Sequence, residues 1–232
     1  MPDQYGDLHL AGGPTIRGSV VLIHGGFWRA HRGLEMTNPA AAALAACGWN
    51  VWNIEYRRAC GWRDTVADCA RAFRHYETLA AEFDIDCGTT LLVGHSAGGQ
   101  LAAWVAGNHS DTPPLHGVVT LNGVVDLELA HRLNIGSSAV EEFLGPDAAP
   151  ADLHDADPAL HPPRVSARCL HSRSDERVPQ EISASYVTKV RTAGGRIALV
   201  EVDGHHTAVI EPDSTAWTTV LDTINGGWPN QP

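Results

Sequence analysis

The chain has 232 residues, a length that fits one domain or at most two small ones. Apolar residues make up 44% and charged residues 19%, enough for a sizeable core and too apolar for wholesale disorder. Lys plus Arg number 16 against 27 Asp plus Glu, a formal charge of −11, which argues against nucleic acid or an anionic membrane as partner.

In chain order, the first ten residues, MPDQYGDLHL, show no basic patch followed by an apolar run, so no secretory signal is expected. No apolar stretch approaches the ~20 residues of a membrane span, and a cytoplasmic protein is expected. Apolar runs at residues 19–23, 51–55, 90–93, 117–122, 168–171 and 196–202 read as strands buried on both faces of a parallel sheet. Helices are expected over 39–47, 62–83, 97–107, 179–193 and 214–224. In the second of these Val66, Cys69, Ala70, Phe73 and Tyr76 form one stripe. Such alternation predicts an α/β fold with crossover helices on both sheet faces. Residues 147–163 are rich in Pro, Ala and Asp and lack a period; with the stretch from 128 they read as a short insertion inside a single domain.

The five cysteines (Cys47, Cys60, Cys69, Cys87, Cys169) are odd in number and contain no CxxC pair, so free buried thiols are expected rather than a disulfide framework or zinc site. His154, Asp155, Asp157 and His161 match no metal-ligand spacing, and no metal is expected. The single lysine, Lys189, offers a poor context for a phosphate loop or Schiff base.

Four segments carry chemistry. Gly94-His95-Ser96-Ala97-Gly98 is a G-x-S-x-G turn between an apolar strand and an Ala-rich helix, the context in which a serine hydroxyl is held exposed on a strained bend. His24-Gly25-Gly26-Phe27-Trp28 follows the first strand; its glycines let amides turn inward, so Gly26 or Phe27, with the amide of Ala97, are candidate oxyanion donors. His171 through Pro179 ends a strand and offers Asp175, with Glu176 as the competing acid. Asp203-Gly204-His205-His206 follows the last strand and offers two adjacent histidines as general base, which spacing cannot separate. The order Ser…Asp…His, with each residue after a strand end, is that of α/β-hydrolases.

These segments resemble the α/β-hydrolase superfamily, most closely compact esterase- and arylformamidase-like members with an H-G-G-[FY]-W loop. The likeness runs over about residues 16–225. It extends to Glu55-Tyr56-Arg57-Arg58 and to His206 through Trp217, which fits a frame similar to H-F-D-x-I-[DE]-P-x-S-x-A-W, with Thr207 and Ala208 departing from it. The resemblance implies His206 as base, a mostly parallel central sheet, and little or no cap beyond the 128–163 insertion. Leu133, Ile135, Val140, Phe143 and Leu144 of that insertion are candidates to line an acyl pocket or to cover the sheet. Trp28 is weighed as a substrate contact against core burial. Arg57 and Arg58 are weighed as carboxylate binders against loop-bracing ion pairs.

The resulting expectation is a cofactor-free serine hydrolase of a small carboxylic ester, with Ser96, Asp175 and His206 as triad and a small molecule as partner. Arylformamidase activity on N-formylkynurenine is the rival within the class. A catalytically silent ligand-binding relative is the rival outside it. A dehydrogenase is excluded by the lack of a G-x-G-x-x-G turn after the first strand.

Overall fold

The computed structural model describes residues 4–13, 15–85, 88–109 and 114–228. Its strands are β1 (Gly6–His9), β2 (Gly18–Ile23), β3 (Trp49–Ile54), β4 (Thr90–His95), β5 (Gly117–Leu121), β6 (Ser166–Ser172) and β7 (Ile197–Val202). Between them run α1 (Asn38–Ala46), α2 (Trp62–Glu82), α3 (Ala97–Asn108), α4 (Leu127–Arg132), α5 (Ala139–Leu144), α6 (Pro150–Ala156), α7 (Gln180–Thr192) and α8 (Thr215–Asn225).

The seven strands form one sheet in the order β1-β3-β2-β4-β5-β6-β7, parallel except for β1. After β2 the chain goes to one side for β3 and then returns to the other for β4. That reversal opens a crevice beyond the carboxyl ends of the strands. Register fixes what meets there: Ile23 of β2 pairs with Gly94 of β4, so the loop after β2 lies beside the turn after β4.

Alternate residues of each strand feed two cores. Val21, Ile23, Leu92 and Val118 pack with α2, α3 and α7 on one face. Val20, Leu22, Leu91, Val93 and Val119 pack with α1 and α8 on the other. Both faces are therefore covered, which is why these strands read as unbroken apolar runs. The α2 stripe of Val66, Cys69, Ala70, Phe73 and Tyr76 is buried as a unit. Helix α8 starts where the Ser214 hydroxyl accepts from the Trp217 amide (3.1 Å).

Several features depart from what the sequence predicts. Strand β1 was not expected: Gly-Asp-Leu-His has no β-branched residue, and only its antiparallel ladder on β3 makes it a strand. The aperiodic stretch 147–163 contains α6, started by Pro150 and by Asp152, whose carboxylate accepts from the Ala149 amide (2.6 Å). A helix of seven residues is too short to display a period. Cys47, Cys60, Cys69 and Cys169 are free thiols; Cys69 and Cys169 are buried, but Cys60 is exposed in the loop after β3, and Cys87 lies outside the described residues. Among the described residues no helix is long and apolar enough to cross a membrane.

Helices α4, α5 and α6 join the α2/α3/α7 core through Leu127, Val140, Phe143 and Ala156. Phe143 stacks on Trp28 with ring centroids 4.3 Å apart. Phe143→Ala is expected to cost about 3–5 kcal/mol of unfolding free energy in a denaturant titration. A loss under about 1 kcal/mol would show that this segment does not share the core.

Candidate active site

The turn after β4 is shaped by close packing. A Cβ on Gly94 would overlap the Gly98 carbonyl, and one on Gly98 would overlap the carbonyls of Ile23 and His24. Both positions therefore require glycine. Between them Ser96 adopts φ 55°, ψ −120°, a conformation that an L-residue holds only where its surroundings enforce it. The enforcing bonds are Ser96 N–H to Leu121 O (2.9 Å) and the Gly99 and Val124 amides to Ser96 O (2.9 and 3.1 Å). Ser96 makes no side-chain cap to α3, so its hydroxyl is not spent on the helix it precedes.

Ser96, His95 and His206 line one small cleft of about 90 Å³, with Gly26 and Phe27 at its other side. His206 Nδ1–H donates to Asp175 Oδ2 at 2.7 Å, which leaves Nε2 as the ring nitrogen available for proton exchange. The backbone of His206 is pinned as well: its carbonyl accepts from Asn122 Nδ2 (2.7 Å) and His95 Nε2 (3.1 Å). The Asp175 side chain is fully buried, and its second oxygen accepts from the amides of Arg177 (2.8 Å) and Val178 (2.9 Å). His171 braces this loop from below, with its ring nitrogens on Ser183 Oγ (2.7 Å) and Val178 O (2.9 Å). Of the competing residues, His205 is exposed and sits 3.3 Å from Glu211, while Glu176 is exposed and reaches the His206 amide at 3.4 Å and Arg177 at 3.6 Å rather than the His206 ring.

Burial, with help from His206, pushes His95 down to about 3, so it stands in the site as a neutral imidazole. Its donation to the His206 carbonyl marks it as a positioning residue.

The loop after β2 is held from behind. His24 stacks on Tyr56 (4.4 Å), the Tyr56 hydroxyl donates to His24 O (2.8 Å), and His24 Nε2 faces Glu55 Oε1 at 2.9 Å. Glu55 Oε2 also accepts from the Leu34 amide (3.1 Å). Burial alone raises the Glu55 carboxyl, but the His24, Tyr56 and Arg58 contacts outweigh it and hold it below the usual range. This bracing sustains positive φ at Gly26 (117°), Phe27 (53°) and Trp28 (56°). Ala97 opens α3, and a first-turn amide has no intrahelical acceptor.

Trp28 is 2% exposed, with Nε1 on Gln100 Oε1 (3.1 Å) and its ring on Phe143, which is the core-burial alternative. Arg57 forms a two-point pair with Asp68 (2.7 and 2.9 Å), and Arg58 pairs with Glu55; both brace loops. Asp157 caps the turn at Pro158–Leu160 by accepting from the Ala159 amide (3.0 Å). Ile135, Val140 and Phe143 are buried, and none of the insertion's five apolar candidates lines the cleft. Asn122, which ties His206 to Ser172 by accepting from the Ser172 amide (2.8 Å), escaped the sequence reading. The available signal was an asparagine directly after a buried strand, where its φ is 48°.

Burial by itself raises the Asp175 carboxyl, but the bonds from His206, Val178 and Arg177 prevail and hold it below the ordinary range. A carboxyl lowered on folding contributes stability that is complete above its unfolded value, about 3.9, and disappears as pH falls through the folded value. Asp175→Asn removes that contribution. Its unfolding free energy is therefore expected to fall less steeply than that of the wild type between about pH 5 and pH 3. Parallel acid limbs in urea titrations at stepped pH would contradict this.

Comparison with known proteins agrees with the architecture. Residues 20–166 match the model of a family described as alpha/beta hydrolase fold. A truncated carbohydrate esterase from gut microbiota is similar at TM-score 0.76 and 20% identity, over 97% of this chain and 96% of that one. The acetyl ester-xyloside bifunctional hydrolase of Caldicellulosiruptor lactoaceticus gives TM-score 0.75 and 19% identity, over 95% and 86%. A thermophilic esterase of Thermogutta terrifontis gives 0.73 and 22%, over 94% and 84%. No curated protein matches. With the family model spanning more than half of its length and the sheet order and helical layers described above, the chain belongs to the alpha/beta hydrolase fold family.

Proposed function

We propose that the protein is a serine hydrolase that cleaves a small carboxylic ester through an acyl-enzyme. The observation that carries this reading is the 2.7 Å bond from His206 Nδ1 to the fully buried Asp175 side chain, in a ring that shares one cleft with Ser96. Asp175 fixes the tautomer, so Nε2 can take a proton. Ser96 Oγ attacks the acyl carbon while its proton passes to His206 Nε2. The C–O bond of the ester then breaks, and the alcohol leaves with that proton. Water, deprotonated by the same nitrogen, attacks the acyl-serine and releases the acid and free Ser96.

The oxyanion of each tetrahedral intermediate is received by the Ala97 amide and that of Gly26 or Phe27; one such donor is typically worth about 2.7–4 kcal/mol. All the protons and electron pairs move among side chains, substrate and water, so the reaction needs no cofactor. A cleft of about 90 Å³ favours a short acyl group. The 128–163 segment serves as a minimal cap: Arg29 of the oxyanion loop donates to the Gly136 and Ser137 carbonyls (2.7 and 3.1 Å) and pairs with Glu142.

Ser96→Ala is expected to lower kcat for 4-nitrophenyl acetate by at least about a thousandfold with the unfolding curve unchanged. Retained turnover would remove Ser96 as nucleophile. Preference for N-formylkynurenine over every short ester, again lost in Ser96→Ala, would keep the triad and move the substrate class to formamides.

A further inference from the structure

The molecule is strongly acidic, at −11, yet the cleft that holds Ser96 inverts that sign. Arg29, His31 and Arg32 from the loop after β2, and Arg177 from the loop after β6, all line it, and no carboxylate does. In a protein with 16 basic and 27 acidic side chains, three arginines gather at the lining of one small cleft.

The three arginines are not equivalent. Arg29 is occupied, bound to Glu142 at 2.7 and 3.0 Å and to two carbonyls. Arg177 has only Glu176 nearby, at 3.6 Å, with both side chains more than half exposed; such a pair is worth little. Arg32 has no hydrogen bond or ion pair from its guanidinium among the described residues. Its stem is nevertheless anchored: a Cβ on Gly26 would fall 2.5 Å from Arg32 Cβ, so the side chain starts against the backbone turn of the oxyanion loop. An unpaired fork of donors rooted there is suited to a planar anion presented beside the scissile carbonyl.

We propose that Arg32, assisted by Arg177, binds a carboxylate carried by the substrate, so the preferred substrates are short esters that bear a negative charge. This rests on Ser96 being the nucleophile. The carboxylate can lie on the acyl side, as in a hemiester of a short dicarboxylic acid, or on the alcohol side, as in an acylated hydroxy acid. Both present the same group to the same arginine. The positive cleft also offsets the repulsion that such a substrate meets from the acidic surface.

The test compares kcat/KM in two matched pairs: 4-nitrophenyl hemisuccinate with 4-nitrophenyl butyrate, and O-acetylglycolate with ethyl acetate. Wild type is expected to favour the charged member of at least one pair by about tenfold or more, and to lose that preference as NaCl is raised. The pair that shows it assigns the side. Arg32→Gln is expected to cut the charged-to-neutral ratio by about tenfold. Arg173→Gln, which removes an exposed arginine outside the cleft, is expected to leave the ratio at the wild-type value. No preference in either pair, or an unchanged ratio in Arg32→Gln, would overturn the proposal.

A second readout does not need turnover. Succinate titrated calorimetrically into Ser96→Ala is expected to bind about tenfold more tightly than into Ser96→Ala with Arg32→Gln. Equal affinities, or no binding to either, would overturn the arginine assignment. If Ser96→Ala keeps full activity while Arg32→Gln still weakens succinate, the nucleophile reading fails and the anion site stands.

Discussion

The geometry of the site depends on how closely the amino end of α3 approaches the carboxyl end of β2. Gly98 lies against the carbonyls of Ile23 and His24, and Gly94 against Gly98, with no room for a side chain at either. That contact does two things at once. It forces the chain to bend so sharply that Ser96 is driven to positive φ, and it sets the first turn of α3 beside the loop that follows β2. A serine at a helix start and a loop after β2 set beside it are thus consequences of one packing contact. The strain at Ser96 is held by amide and carbonyl bonds to β5 and to the residues just after it.

On the opposite side of the cleft, order comes from buried polar groups rather than from packing alone. Asn122 ties the loop after β7 to the end of β6: its side-chain nitrogen donates to the His206 carbonyl, its side-chain oxygen accepts from the Ser172 amide, and its backbone amide donates to Leu170 O (2.9 Å). Asp175 is buried but accepts three hydrogen bonds, which satisfies most of its lone pairs and keeps it ionised. His95 is buried and neutral, so it adds a donor without adding a charge beside His206. Networks of this kind specify one arrangement because every member left unpaired carries a desolvation cost. Arg177 joins this network through its backbone amide, whereas its guanidinium and that of Arg32 take no part in it.

Much of the central sheet was legible because strands covered on both faces must be apolar throughout. Residues 90–93 and 117–122 announce themselves, and β4 and β5 extend or trim them by one or two positions. The glycine spacing around Ser96 was legible because close backbone approach admits no other residue. Strand β1 was not, since a half-exposed antiparallel edge of four residues needs no apolar pattern. Helices α4 to α6 are each six or seven residues long, under two turns, so their caps decide them more than any periodicity. His205 and His206 are neighbours in sequence, and only the course of the loop after β7 turns one toward Asp175 and the other to solvent. Trp28, Arg57 and Arg58 each had two chemically sensible fates, and the partners that fixed them (Phe143, Asp68 and Glu55) are not all near in sequence.

The central claim is that the Ser96 hydroxyl is activated by the ring that Asp175 holds. Its most direct measurement is covalent labelling by a fluorophosphonate, with the adduct mapped by peptide mass spectrometry in wild type and in His206→Gln. A single adduct on Ser96, formed rapidly in wild type and at least a hundredfold more slowly in the variant, is the predicted result. No adduct, an adduct on another residue, or equal rates in the two proteins would contradict the account.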